Sequence, residues 1–525
     1  MSRTRTGEPA RTTRTGDGAL NATRRARELD EVTDGRVVDV LVVGLGVTGA
    51  GAALDAAARG LDVVAMDAHD LAFGTSRWSS KLVHGGLRYL AQGKLGVAYE
   101  SAYERGVLMA HTAPHLVRPL PMLLPLLPNV SRRQSAFMQA GLHAGDVLRL
   151  AAHTAAGVLP RARRVDRPEA LQLVPGARRR GLRGGLVSWD GQLEDDARLV
   201  VGLARTAAAH GARILTRCRV LELHGDGALV RDELTGTVCT VKARAVVNAA
   251  GVWAGSLVDG ISLRPSRGTH LVLRASTLSH LTAAVTAPVP GETTRFVFAL
   301  PQADGLVYVG LTDEPLDGPP PDVPVPSEAE IDFLLDVIGS VFEDPIRRAD
   351  VVGSFAGLRP LLDADGRTSD LSRRHAVLTS PDGVITVVGG KLTTYRRMAQ
   401  DAVDAAVAGA SLQAPPCRTH RLPLLGAATR QQLARLPAPR RLVRRYGSEA
   451  MTLTRDPELL APVADGLPAT MAELVRGVTH EGALDVDDLL DRRMRIGLVP
   501  ADRERAIGAA EQALDLGRRA GLRGR

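Results

Sequence analysis

Residues 37–67 read VVDVLVVGLGVTGAGAALDAAARGLDVVAMD. Val37–Val43 is a run of β-branched and apolar residues broken only by Asp39, the pattern of a strand buried on both faces. It runs into Gly44-x-Gly46-x-x-Gly49, and an Ala-rich helix is predicted over 49–59, ended by Gly60. A second strand over 61–66 completes a βαβ unit. Each glycine has a physical task. The first allows the tight turn, the second lets backbone approach a pyrophosphate, and the third lets helix and strand pack closely. The helix N-terminus then faces the phosphates with free N–H groups and the positive end of its dipole. Asp67 closes the second strand, where an acid accepts hydrogen bonds from ribose hydroxyls.

Outward from this unit, helices are predicted over 85–114, 131–152, 199–210 and 393–410, and one capped by Ser327 that runs to about Phe342. Strands are predicted over 212–223, 237–247, 271–273, 296–300, 306–311 and 384–388. The stretch 119–128 is apolar and too Pro-rich for a helix. Residues 318–326 form a proline-rich loop, and the chain after about Thr429 is helical and charged.

Composition narrows the function classes. The 525 residues exceed one ordinary domain. The net charge is +8, yet aromatics are scarce and the arginines dispersed, which argues against nucleic acid. Three unpaired cysteines, Cys218, Cys239 and Cys417, suggest neither a disulfide framework nor a metal site and fit a reducing cytoplasm. No apolar run approaches the roughly 18–20 residues that span a bilayer. Residues 1–36 lack the apolar core of a secretory signal and are expected to be a disordered basic tail. The net basicity, with apolar 119–128 followed by Arg132 and Arg133, suggests peripheral contact with an anionic membrane.

Two further turns bear on the cofactor. VVNAAGVWA at 246–254 is a strand ending in small residues, where backbone can lie against a flat ligand. GGKLTTYR at 389–396 lies between a strand and a helix, so that a second helix N-terminus can face the electron-rich edge of a flavin. The glycine motif alone leaves NAD and FAD open; three turns spread along the chain favour one extended cofactor, best matched by FAD.

SSKLVHGGLRYL at 79–90 and GGKLTTYR at 389–396 closely resemble signatures of the FAD-dependent (aerobic) glycerol-3-phosphate dehydrogenases. EDDARL at 194–199, GLTDE at 310–314, GLRPL at 357–361 and HEGALDVDDLLDRRMRIGL at 480–498 resemble the same family, which covers about 37–498. The resemblance implies an α/β, multi-domain chain: a Rossmann-like FAD-binding domain of glutathione-reductase type, an antiparallel-sheet substrate domain and a C-terminal helical domain. FAD-binding segments are expected at about 37–115, 190–260 and 350–412, substrate segments at 116–189 and 261–349, a linker at 413–428 and the helical domain at 429–525.

The same resemblance implies oxidation of glycerol 3-phosphate, a quinone acceptor, and a homodimer. An oxidase using oxygen, or an enzyme of another hydroxy or amino acid, is the alternative. Arg88, Arg359 and Lys391, with Tyr89, are expected at the substrate: Arg88 to hold the phosphate dianion, which needs cationic donors, and Arg359 and Lys391 to stabilise the developing alkoxide and the reduced flavin. His270 is the first candidate base and His84 the second, because imidazole titrates near neutrality. FAD contacts are expected from Gly44, Gly46, Gly49, Asp67, Thr75, Ser76, Ser80, Lys81, Leu82, His84, Gly85, Gly86, Val220, Ala250, Gly251, Gly390, Lys391, Leu392 and Thr393. Asp67 stands where relatives commonly carry Glu; Arg77 and Trp78 interrupt a stretch that is usually small and hydroxylated, and Arg77 is a candidate for a flavin phosphate.

Overall fold

The structure, a computed structural model, describes residues 16–86, 89–90, 93–292, 295–363 and 374–523. Its described strands form two sheets. In the first, Ile385–Val388, Val238–Asn248, Val37–Val43, Val63–Met66 and Arg213–Leu215 lie side by side in parallel, and an antiparallel edge is added by Ala376–Thr379. Parallel strands need covered faces. The helix Val47–Ala58 covers one face and is itself sandwiched between Tyr395–Gly409 and Asp196–Ala209. Its small residues make that possible: a Cβ on Gly51 would meet the Tyr395 ring at 3.0 Å.

The second sheet has ten strands, all antiparallel to their partners except where Ala284–Pro288 runs parallel to Val117–Pro125. The proline-rich stretch is therefore a strand. Val117–Pro125 pairs along its length with Gly185–Leu193, while its other neighbour pairs only at Met122 and Leu123, so its prolines interrupt little of the ladder. The predicted helix over 85–114 is shorter, Leu95–Val107 followed by one π-turn, because Gly86 at φ +76° places a turn before it. The predicted strand over 212–223 is two strands, broken at Arg217, whose φ is +57°. The helix Glu328–Gly339 starts at Ser327 in a capping box with Glu330, as expected.

The disordered tail is corrected in part. Residues 1–15 lie outside the described residues, but Ala22–Thr33 is a helix capped by Asn21. Its Val32 and Leu29 pack against the first sheet's core, and on the same face Arg25 anchors it, donating to Thr216 O at 2.7 Å and to Asp232 at 2.5 Å. Composition alone misses a helix held by buried guanidinium contacts.

The C-terminal helices, Arg430–Ala434 to Pro500–Arg523, enclose their own core around Leu474, Leu489, Leu490 and Ala510. They dock on the first sheet's domain through buried ion pairs: Arg493 and Arg492 with Asp70, in the turn after Val63–Met66, each at 2.7 Å, and Glu481 with Arg198 of the helix Asp196–Ala209 at 2.6 Å. No described helix is long and apolar enough to cross a membrane.

Candidate active site

A cavity of about 1350 Å³ opens between the two sheets. At one end lies the glycine turn. Gly44 has φ +99°, and a Cβ there would lie 2.6 Å from Ala249 O. Gly49 faces away from the cavity: its Cβ would lie 1.8 Å from Gly44 O, so its absence lets helix and turn meet. Ser76 Oγ accepts from Val47 N at 2.9 Å, at the first turn of the helix. Asp67 accepts from Leu45 N at 2.7 Å and His69 N at 2.8 Å. Burial pushes its carboxyl up to about 6, against those two hydrogen bonds. The cavity wall here includes Gly46, Val220, Ala250 and Gly251.

The other end gathers cations and imidazoles. Gly389 and Gly390, at φ +77° and +74°, lift Lys391 to the cavity wall ahead of the 3-10 turn Leu392–Thr394 and the helix Tyr395–Gly409. Its ammonium donates to Ser101 Oγ at 2.5 Å and lies 4.1 Å from the Tyr89 ring centre. His84 lines the cavity too, its backbone N–H donating to Thr393 Oγ1 at 3.3 Å. Arg359 ends the strand Val351–Arg359, and three acceptors aim its guanidinium: Ser266 Oγ at 3.2 Å, Asp313 at 3.3 Å and Thr312 O at 3.1 Å. His270 sits on the strand Ser266–Arg274, stacked on Phe355 at 4.7 Å, with Nε2 2.8 Å from Ser80 Oγ. Burial first, then the charges of Lys81 and Arg359, hold this imidazole well below its usual range, so it is neutral.

Thr75, Ser80, Leu82, Gly86, Gly390, Leu392 and Thr393 also line the cavity. Arg88 lies outside the described residues. Lys81, Gly85 and Tyr89 are behind the wall rather than on it. Lys81 is fully buried in an ion pair with Asp196 at 2.9 Å. A Cβ on Gly85 would meet the Arg105 guanidinium at 2.4 Å, and Tyr89 is the ring under Lys391. Arg77 is not at a phosphate position: it is buried, 4.1 Å from the Trp78 ring centre, and donates to Phe73 O. Burial lowers its guanidinium to about 10.

Sequence reasoning missed Asp190, a carboxylate in the cavity wall held by Arg105 and by Gly85 N, and Asp313, the partner of Arg359. Asp313 lies inside GLTDE, so the motif carried a signal; nothing local marks Asp190. The helix Arg132–Ala151 was expected, but its place at the site was not: Phe137, Met138 and Leu142 form an apolar part of the wall. Among the described residues no cluster of His, Cys, Asp or Glu is placed to hold a metal ion.

A glycine turn at the end of a parallel strand, with a second strand–helix turn opening on the same cavity, defines a dinucleotide-dependent oxidoreductase of the FAD class. The model of the family "FAD dependent oxidoreductase" matches residues 39–396, and that of the "C-terminal domain of alpha-glycerophosphate oxidase" matches 417–519. Glycerol-3-phosphate dehydrogenase 1 of Mycobacterium tuberculosis is 53% identical over 510 residues, covering 94% of this chain and 98% of the relative. Glycerol-3-phosphate dehydrogenase 2 of the same species is 38% identical, covering 88% of this chain and 81% of the relative. Among solved structures, the glycerol-3-phosphate dehydrogenase of Bacillus halodurans complexed with FAD superposes with a TM-score of 0.72 at 29% identity, covering 94% of each chain. The chain belongs to the FAD-dependent glycerol-3-phosphate dehydrogenase family, and FAD is its cofactor.

Proposed function

We propose that this protein oxidises sn-glycerol 3-phosphate to dihydroxyacetone phosphate and that its electrons pass to a quinone. The observation that carries the reading is one cavity shared by the dinucleotide turn, Arg359, Lys391, His84 and His270. Gly44, Gly46, Ala250 and Gly390 would hold FAD, which would supply the acceptor for hydride from C2. The chain does the rest. Arg359, aimed by Asp313 and Ser266, binds the phosphate dianion. Lys391 stabilises the alkoxide that develops at C2. The N-terminus of the helix Tyr395–Gly409 adds a positive dipole end on the same side.

His84 takes the C2 hydroxyl proton. His270 was the first candidate from sequence, but its Nε2 is engaged by Ser80 and its surroundings depress its basicity. We assign it instead to fixing Ser80 in the wall.

The apolar wall of Phe137, Met138 and Leu142 favours a quinone over oxygen, because a flat apolar acceptor needs an apolar approach. The same helix, Arg132–Ala151, begins with two arginines and exposes Phe137, Val147 and Leu150, by 76%, 67% and 55%. It is our proposed place of contact with an anionic membrane. The stretch 119–128, which first suggested such contact, lies largely in the sheet interior.

Anaerobic mixing of the purified holoprotein with glycerol 3-phosphate is the test. Rapid bleaching of the oxidised-flavin absorbance, absent with plain glycerol, supports the substrate. Reoxidation by menadione faster than by oxygen supports the acceptor. A flavin that stays oxidised sinks the substrate reading.

A further inference from the structure

Two successive backbone amides bracket the His84 side chain, and each is held by a side chain from a different part of the fold. His84 N donates to Thr393 Oγ1 at 3.3 Å, and Gly85 N donates to Asp190 Oδ1 at 3.0 Å. With both ends of the residue tied, its backbone torsions are set, and with them the direction of the Cα–Cβ bond. Asp190 is in turn fixed by Arg105, whose Nη1 donates to the same oxygen at 2.5 Å. The two side chains are 6% and 16% exposed, so the pair acts in a medium that screens it little. The Arg105 guanidinium fills the space beneath Gly85, where a Cβ would lie 2.4–2.7 Å from it. Glycine is thus required for the turn and the pair to meet.

Arg105 belongs to the helix Leu95–Val107, and that helix carries two more such grips. Ser101 receives the Lys391 ammonium at 2.5 Å, and Glu104 pairs with Arg396 at 2.5 Å. Residues 101, 104 and 105 share one face of the helix. One rigid element therefore holds both the His84 turn and the Lys391 turn, which lie about 300 residues apart in sequence.

We propose that Arg105 and Asp190 are positioning residues that hold His84 at the distance from Lys391 that proton removal requires. The proposal rests on His84 as the proton acceptor. Asp190 also lies within electrostatic reach of Lys391, and Asp190, Lys391 and His84 line the same cavity.

The test compares Asp190→Ala, Arg105→Gln, Arg105→Lys, the double variant and His84→Asn as FAD-loaded proteins, reading single-turnover flavin reduction against pH, KM and FAD content. The expected result is a fall of about tenfold or more in the limiting reduction rate for Asp190→Ala and Arg105→Gln, since small misplacements are amplified in rate. KM should change less than kcat, and the pH limb lost in His84→Asn should move. Arg105→Lys should recover part of the rate, and the double variant should be no slower than the slower single. If His84→Asn slows reduction but both clamp variants retain wild-type rate and pH profile, the proposal alone is overturned; if the two single losses multiply in the double variant, it is overturned as well. If His84→Asn reduces normally, the His84 reading falls and the proposal falls with it. Should a neutral variant fail to retain FAD, Arg105→Lys decides: an unchanged rate and pH profile there overturns the proposal.

Discussion

Lys81 Nζ lies 2.9 Å from Asp196 Oδ2, and neither side chain has any exposed surface. Ser79 donates to the same carboxylate through both N and Oγ, and Lys81 also donates to Arg77 O. Removing one charge from such a pair leaves the other buried without compensation, a loss of about 3–5 kcal/mol. Lys81→Met should therefore lower the thermal unfolding temperature markedly while FAD affinity per folded molecule changes little. A wild-type unfolding temperature with weakened FAD binding would return Lys81 to the cofactor.

Asp67 ties FAD affinity to pH. Burial raises its carboxyl to about 6 in the protein alone, whereas ribose hydroxyls donate to the ionised form and favour it. Binding then releases a proton over the interval between the lowered and the raised value. FAD should bind most tightly above pH 6 and progressively less tightly as pH falls below it. Fluorescence titration of apoprotein at several pH values measures this, and Asp67→Asn should flatten the dependence.

His84 and His270 are separable. His84→Asn should lower the rate of flavin reduction by about 10²–10⁴-fold and remove the rising limb of the pH profile. His270→Asn should keep that limb, because its imidazole is already neutral across the working range. Stopped-flow reduction between mildly acidic and mildly alkaline pH distinguishes them; loss of the limb in His270→Asn instead would reverse the assignment.

The docked C-terminal helices should respond to acid. Burial is the largest single effect and raises both carboxyls, but the summed charges and hydrogen bonds of Arg493 and Arg492 hold Asp70 far below its ordinary range, and those of Arg205 and Arg476 bring Glu449 down to about 2. Groups with lowered folded-state values contribute their full stability above the ordinary carboxylate range and lose it as pH falls through the folded values. Limited proteolysis should release the C-terminal region progressively below about pH 4. Asp70→Ala should show the same release at neutral pH.

Membrane contact is testable on the helix Arg132–Ala151. Sedimentation with anionic vesicles at low salt should retain the wild-type protein and lose Phe137→Glu/Val147→Glu, with salt weakening the retention. Equal sedimentation of both proteins would remove this helix as the contact.

The turns and their glycines were legible from sequence because they obey local rules. Gly44 needs a positive φ and Gly49 a missing Cβ whatever lies elsewhere, and Ser327 with Glu330 caps a helix within four residues. GGKLTTYR likewise announced a strand–helix turn at 389–396. What a charged side chain meets is not local. Lys81 finds Asp196 across 115 positions and Arg493 finds Asp70 across 423, so motif membership could not tell a cofactor ligand from a buried ion pair. The N-terminal helix was missed for the same reason, since Arg25 is anchored by residues 191 and 207 positions away. The sequence by itself determined the dinucleotide cradle and the family, because backbone conformation and periodicity are written in neighbouring residues. The tertiary structure alone decided that His270 meets Ser80 and that Asp190 accepts from the amide after His84, because burial and charge pairing arise only when distant segments share one interior.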